Sequence, residues 1–114
     1  MSGREWQFYI DDMLAFANKV LRYCNDFDQQ QFEADELRYD AVLRNLELIG
    51  EAATHVPDDV RQGHAAIPWR QIIATRNRLI HGYLGIDNDT VWSIIKDDIP
   101  RLVTTLRTLQ NGEK

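Results

Sequence analysis

Apolar residues recur every three or four positions along most of the chain, and this spacing constrains the fold more than any other feature. The clearest run lies between about residues 5 and 25, with apolar side chains at Trp6, Ile10, Met13, Leu14, Ala17, Val20, Leu21 and Cys24. Such spacing places one apolar stripe along an α-helix, whereas a half-buried strand would alternate. We therefore predict an all-α protein.

Three more long helices follow from the same pattern. The second begins near Asp35 and runs to about His55, before Pro57 stops it. Its predicted inward residues are Leu37, Ala41, Val42, Leu46, Ile49 and Ala53. The third helix begins at Pro68 and ends at the glycine Gly82.

The fourth long helix is predicted to have Asn88 or Asp89 as its cap and to kink or split at Pro100. Short helical turns are expected after Asp28 and Asp58. Because the connections between them are short, helices that follow one another in sequence should also pack next to one another. The predicted fold is an antiparallel four-helix bundle with one or two extra short helices.

Length and composition favour one compact domain over residues 1–114, with its core between about residues 5 and 109. Because Cys24 is the single cysteine, no disulfide can form within the chain. This is consistent with a protein of a reducing compartment. There is no apolar run of the length that a membrane helix needs. We expect a cytoplasmic protein.

The formal net charge of -5 argues against a broad electrostatic grip on nucleic acid. Positive side chains are nevertheless concentrated in the third quarter of the chain, at Arg61, Arg70, Arg76 and Arg78. A local basic site can therefore exist on an acidic protein. The acidic remainder suits a partner with basic patches.

Residues 76–83 bring an arginine, a histidine and a tyrosine to the end of the predicted third helix. Arginine matches phosphate oxygens with a permanently charged fork, and histidine exchanges protons near neutral pH. At about 100° per residue, Arg76 and His81 are separated by about 140° around a regular helix. Either the helix distorts towards Gly82, or the arginine reaches around, or a second molecule completes the pair. The segment is therefore either a solvated helix end with an aromatic cap or a catalytic site in which Arg76 and His81 cleave RNA without a metal.

Other residues are candidates for supporting this pair. Asn77 either holds the imidazole of His81 in one tautomer or satisfies a loop carbonyl. Glu47 and Glu51 lie four residues apart on one helix, where they are solvated, bridged to Arg44 or Arg70, or orient Arg76 or His81. The spacing of His55 and His64 does not fit a metal site, so we predict no metal and no cofactor.

At these residues the sequence resembles the HEPN superfamily, and more narrowly the HepT toxins with the motif Arg-x4-His-x-Tyr, here Arg76, His81 and Tyr83. The resemblance extends in order through residues 41–52, Ile67-Pro68-Trp69, Val91-Trp92 and residues 98–102. It spans about residues 5 to 109.

This resemblance implies a HEPN-like homodimer with a catalytic cleft between protomers, acting as a metal-independent endoribonuclease and as the toxin of a toxin-antitoxin pair. It also implies a partner, an MntA-type nucleotidyltransferase antitoxin that silences the nuclease by transferring AMP to Tyr83. An adenylate two residues from His81 would block the cleft and repel a substrate phosphate. The alternative is a binding module, a catalytically silent helical subunit that presents substrate to a nucleotidyltransferase or scaffolds it.

Overall fold

The computed structural model describes residues 4–82 and 86–112, and every regular element in this part of the chain is helical. The elements are α1 (Arg4–Cys24), α2 (Gln29–Ala34), α3 (Glu36–Thr54), α4 (Asp58–Gly63), α5 (Trp69–Ile80), α6 (Asn88–Ser93), a π-helical turn (Ile94–Asp98) and α7 (Ile99–Gln110). The all-α prediction is confirmed.

Helix α3 occupies the centre of the packing, since it contacts α1 on one side and α5 on the other. Helix α1 packs in addition against α7. The core between these helices consists of fully buried apolar side chains, among them Ile10, Met13, Val20, Phe32, Val42, Ile95 and Leu106. Helix α5 is held chiefly by α3, so the α3–α5 contact positions the residues of the motif.

The buried face of α3 differs from the predicted one at its first turn. Leu37 was expected to face inward, but 84% of its surface is exposed. Leu43, which was not in the predicted inward set, is buried instead. Because α3 is covered by helices on two sides, its buried arc is wider than one stripe and turns away from Leu37.

The helix caps match the sequence closely at α2 and α3 and differ at α4, α5 and α6. Pro68, predicted as the first residue of the third helix, takes the cap position of α5, which begins at Trp69. Asp28 and Asp35 cap α2 and α3, as the sequence indicates. Asp87, rather than Asn88 or Asp89, caps α6 through a 2.7 Å hydrogen bond from the Thr90 N–H. Pro57 takes the cap position of α4, so Asp58 is its first helical residue.

The expected disruption at Pro100 takes the form of a π-helical turn. Proline has no N–H to donate and its ring crowds the preceding turn. The chain accommodates it by widening residues Ile94–Asp98, and the N–H of Ile99 donates to the carbonyl of Ile94. Pro100 then lies in the first turn of α7, where a missing N–H costs little. The chain therefore stays helical from α6 to α7.

Candidate active site

Arg76 lies where α5 approaches α3 most closely, directly above Gly50. A Cβ atom placed on Gly50 would lie 2.2 Å from the Cβ of Arg76 and 3.0 Å from the carbonyl oxygen of Ile72. No side chain larger than hydrogen fits there without moving α5. The absence of a side chain at Gly50 therefore lets α3 and α5 approach closely, and Arg76 is the residue approached.

The guanidinium of Arg76 is held by two acceptors. Its Nη2 donates to Oε1 of Glu51 at 2.5 Å, and its Nη1 donates to Oδ1 of Asn77 at 2.9 Å. Its Nε is buried and has no hydrogen-bond partner among the described residues. The side chain as a whole is 25% exposed. The guanidinium therefore has a fixed position at the seam between α3 and α5 while part of it remains open to solvent.

Glu51 extends this arrangement towards α1. Its second oxygen, Oε2, lies 3.5 Å from Nε2 of His55, one turn further along the helix. The imidazole of His55 stacks on the ring of Tyr9, with 4.7 Å between ring centroids. Asn77, Arg76, Glu51, His55 and Tyr9 thus form one continuous row. Sequence reasoning missed the parts of His55 and Tyr9, although the four-residue spacing of Glu51 and His55 was visible.

Glu47, the carboxylate predicted to support the pair, contacts a different cation. Oε2 of Glu47 accepts a hydrogen bond from Nη1 of Arg44 at 3.2 Å. Glu47 also lines a shallow depression at the end of α5, together with Leu79, Ile80 and Gly82. Within a single chain, the carboxylate that holds Arg76 is therefore Glu51.

His81 caps the C-terminus of α5 and faces solvent. Its backbone N–H donates to the carbonyl of Asn77 at 3.2 Å. Its imidazole is exposed and has no hydrogen-bond partner within residues 4–82 and 86–112. Because the side-chain oxygen of Asn77 accepts from Arg76, it orients the guanidinium rather than the imidazole. The next residue, Gly82, has a φ of +137°, which favours glycine and ends the helix.

Within one chain, no hydrogen bond or ion pair joins the side chains of Arg76 and His81 among the described residues. Helix α5 is α-helical through Ile80, and His81 leaves the helix with a φ of −95° and a ψ of 1°. Arg76 turns towards α3 and Glu51, and it does not reach around α5 towards His81. The exposed imidazole of His81 therefore has no hydrogen bond to the guanidinium of Arg76 in its own chain.

Tyr83 lies outside the described residues. Among those that are described, no cluster of three or more histidine, cysteine, aspartate or glutamate side chains could hold a metal ion. None of the helices in the same part of the chain is both long and apolar enough to cross a membrane.

Comparison with known proteins assigns the chain to a family. Residues 13–109 match the family model described as ribonuclease HepT-like. A protein of Methanocaldococcus jannaschii named "Putative RNase" is 37% identical over 102 residues, which cover 90% of this chain and 94% of the relative. The "Probable ribonuclease HepT" of Thermococcus cleftensis is 34% identical over 99 residues, which cover 87% of this chain and 90% of the relative.

No solved structure gives a significant match. The family match covers α3, α5 and the segment between Arg76 and His81, which are the parts that build the site described above. The chain belongs to the HepT-like ribonuclease family.

Proposed function

We propose that this protein is a metal-independent endoribonuclease in which Arg76 and His81 act on the scissile phosphate. The observation that carries the proposal is the fixed, partly exposed guanidinium of Arg76, five residues before an exposed imidazole. Membership of the HepT-like family supports RNA as the substrate.

The two side chains supply the functions that RNA cleavage requires. A 2′-hydroxyl gives its proton to one imidazole as its oxygen forms a bond to phosphorus. The bond from phosphorus to the 5′-oxygen breaks, and that oxygen takes a proton from an imidazolium. Arg76 neutralises the charge that develops on the phosphoryl oxygens. The products are a 2′,3′-cyclic phosphate and a free 5′-hydroxyl, so DNA, which has no 2′-hydroxyl, is spared.

Glu51 and Asn77 act as positioning residues in this scheme. They hold the guanidinium before the substrate binds, so little ordering is needed when a phosphate arrives. Glu47 remains a candidate support for His81, since it lies beside Ile80 and Gly82 at the end of α5.

The reaction needs a second chain in this proposal. Since Arg76 is held against α3 while His81 is exposed at the end of α5, a two-fold homodimer of HEPN-like four-helix domains would supply two imidazoles and two guanidiniums to one cleft. One imidazole then acts as the base and the other as the acid.

We further propose that the nuclease is the toxin of a cytoplasmic toxin-antitoxin pair. Its partner is an MntA-like nucleotidyltransferase that transfers AMP from ATP to the hydroxyl of Tyr83, releasing pyrophosphate. The added phosphate brings negative charge close to His81 in sequence and opposes the binding of an RNA phosphate.

The direct test is RNA cleavage by the purified protein in the presence of a chelator. We expect cleavage by the wild type, and a loss of about 100-fold or more in His81→Ala and in Arg76→Ala, because acid-base and electrostatic contributions are of that size. Arg107→Ala removes an exposed arginine from the last turn of α7 and should cleave like the wild type. A folded wild-type protein without cleavage would favour the silent scaffolding subunit instead.

Tyr83→Phe tests the modification step separately. This variant keeps the ring and loses the acceptor hydroxyl, so it should cleave RNA and resist the nucleotidyltransferase. Intact mass measured after incubation with the transferase and ATP reports each added adenylate directly. Full silencing of Tyr83→Phe would show that the transferase acts elsewhere.

A further inference from the structure

The carboxylate of Glu51 determines where the guanidinium of Arg76 points. Of the two acceptors that hold the guanidinium, Asn77 is the next residue on α5, so it moves with that helix. The buried Nε of Arg76 has no hydrogen-bond partner among the described residues and adds no anchor. Glu51 is therefore the acceptor that ties the guanidinium to another helix, through Nη2 and Oε1. A group that fixes the Glu51 side chain also fixes Arg76.

Burial does not hold the Glu51 side chain, because 46% of it is exposed. Ordering a glutamate removes much rotamer freedom, and water competes for its two oxygens. Oε1 accepts from Arg76, and the other oxygen, Oε2, lies 3.5 Å from Nε2 of His55. A carboxylate that is held at both oxygens keeps one orientation, whereas a carboxylate held at one oxygen can rotate.

His55 is itself held at its ring and at its backbone. Its ring stacks on the ring of Tyr9 in α1, with 4.7 Å between the centroids and 16° between the planes. Its backbone N–H caps α3 by donating to the carbonyl of Ala52 at 3.0 Å. The stacked ring has a defined plane, and its Nε2 lies on the side of Glu51. Helix α1 thus supports the carboxylate through His55.

We infer that His55 is a positioning residue of the nuclease and acts on Arg76 through the carboxylate of Glu51. The inference rests on the proposed function and extends its support to α1. His55 contacts no substrate in this scheme. It keeps the carboxylate in the orientation that accepts from Nη2, so the guanidinium is already ordered when a phosphate arrives. Because exposed ion pairs contribute little to folding stability, removal of His55 should affect RNA cleavage more than unfolding.

Substitutions at His55 separate the role of its ring from the role of its ring nitrogen. His55→Phe keeps a flat ring for Tyr9 and loses the nitrogen that faces Glu51. We expect the kcat for RNA cleavage to fall roughly five-fold with little change in KM, which is the size expected for one exposed ion pair. His55→Lys places a permanent cation four residues after Glu51, a spacing that allows pairing on a helix, and should restore most of the kcat.

The NMR signals of the Arg76 guanidinium give a readout that does not depend on cleavage. A held guanidinium rotates slowly about its Nε–Cζ bond and gives separate Nη signals, whereas a free one averages them. We expect separate signals in the wild type and in His55→Lys, and averaged signals in His55→Phe. His64→Phe is the control, since His64 lines a pocket with Trp6 and is not paired with Glu51 in the part of the chain that the structure describes. It should leave the spectrum and the kcat at wild-type values.

A double-mutant cycle tests whether His55 acts through Glu51. In a Glu51→Gln background, His55→Phe should cause no further loss of kcat, because the carboxylate that His55 holds is gone. An equal loss in both backgrounds would overturn the inference, and so would an unchanged Arg76 spectrum in His55→Phe. A loss of kcat in His55→Phe that follows a lower urea midpoint, and that His55→Lys does not restore, would show a structural role instead.

Failure of the proposed function would look different. A folded wild type that does not cleave RNA would remove the nuclease, while the spectra of the same variants would still show whether His55 orders Arg76.

Discussion

Gly50 and Arg76 show how one residue determines the position of another across a helix pair. Glycine inside a helix is unfavourable by about 1 kcal/mol relative to alanine. At Gly50 this cost is offset because the missing side chain lets the backbone of α3 meet the Cβ of Arg76. The same contact brings Glu51 within hydrogen-bond distance of the guanidinium.

Gly50→Ala should therefore destabilise the protein, although alanine favours the helix. The new Cβ collides with the Cβ of Arg76, which cannot move without α5, and overpacking of this kind costs about 1–3 kcal/mol. We expect a lower free energy of unfolding in urea and weaker RNA cleavage. Gly63→Ala is the control, because nothing lies within 4 Å of a Cβ at that position. Equal effects of the two substitutions would contradict this account.

At the scale of helices, aspartate caps fix where α3 and α6 begin. Asp35 accepts the N–H of Arg38 at 3.0 Å, and Asp87 accepts the N–H of Thr90 at 2.7 Å. These backbone hydrogen bonds favour the ionised carboxylate and lower the pKa of each group below its ordinary value of 3.8. The caps thus bind fewer protons in the folded state than in the unfolded state.

A lowered pKa makes the contribution of each cap depend on pH in a defined direction. The stabilisation is fully present above the unfolded value of 3.8 and is lost as the pH falls through the lower folded value. Asp35→Asn and Asp87→Asn should each reduce the fall in urea midpoint between about pH 6 and about pH 2. Asp26→Asn removes an exposed aspartate outside any helix N-terminus and should leave most of that fall intact. If the urea midpoint of the cap variants fell as much as that of the wild type, the two caps would not contribute to the loss of stability in acid.

At the scale of the whole molecule, the two groups of the candidate site have different surroundings. Arg76 is fixed against α3, whereas His81 faces outward from the end of α5. If the proposed shared cleft is correct, assembly is part of catalysis, and activity should depend on protein concentration wherever the dimer dissociates.

Mixing two inactive variants tests the shared cleft. In a dimer of Arg76→Ala with His81→Ala, one chain retains the imidazole and the other retains the guanidinium. If the cleft is shared, mixed dimers should cleave RNA faster than either parent variant but well below the wild-type rate, because the cleft then holds one guanidinium and one imidazole as the base but no second imidazole as the acid. Measurement of the RNA cleavage rate before and after unfolding and refolding the mixture gives the result. A mixture shown to contain mixed dimers that cleaves no faster than either parent variant would contradict a shared cleft.

Much of the fold was predictable because its signals are local. The spacing of apolar residues predicted the long helices. Asp28 correctly marked the start of the short helix α2, and Asp35 the start of the long helix α3. Leu37 was placed wrongly because periodicity alone does not say how many neighbours a helix has. The cap of α6 was predicted one or two residues too late, because Asp87, Asn88 and Asp89 are all acceptable cap residues and the sequence does not distinguish between them.

The sequence by itself determined that the chain is helical and that Arg76 and His81 stand at the end of one helix, since hydrogen bonds and side-chain spacing within a helix involve neighbouring residues. Only the tertiary structure decided that Glu51, not Glu47, holds Arg76. Glu51 and Arg76 are 25 positions apart in sequence, and they meet where α5 crosses α3 at Gly50. The same packing turns Arg76 towards α3 and leaves His81 exposed. That difference in direction follows from which face of α5 is buried, and the order of residues alone does not fix it.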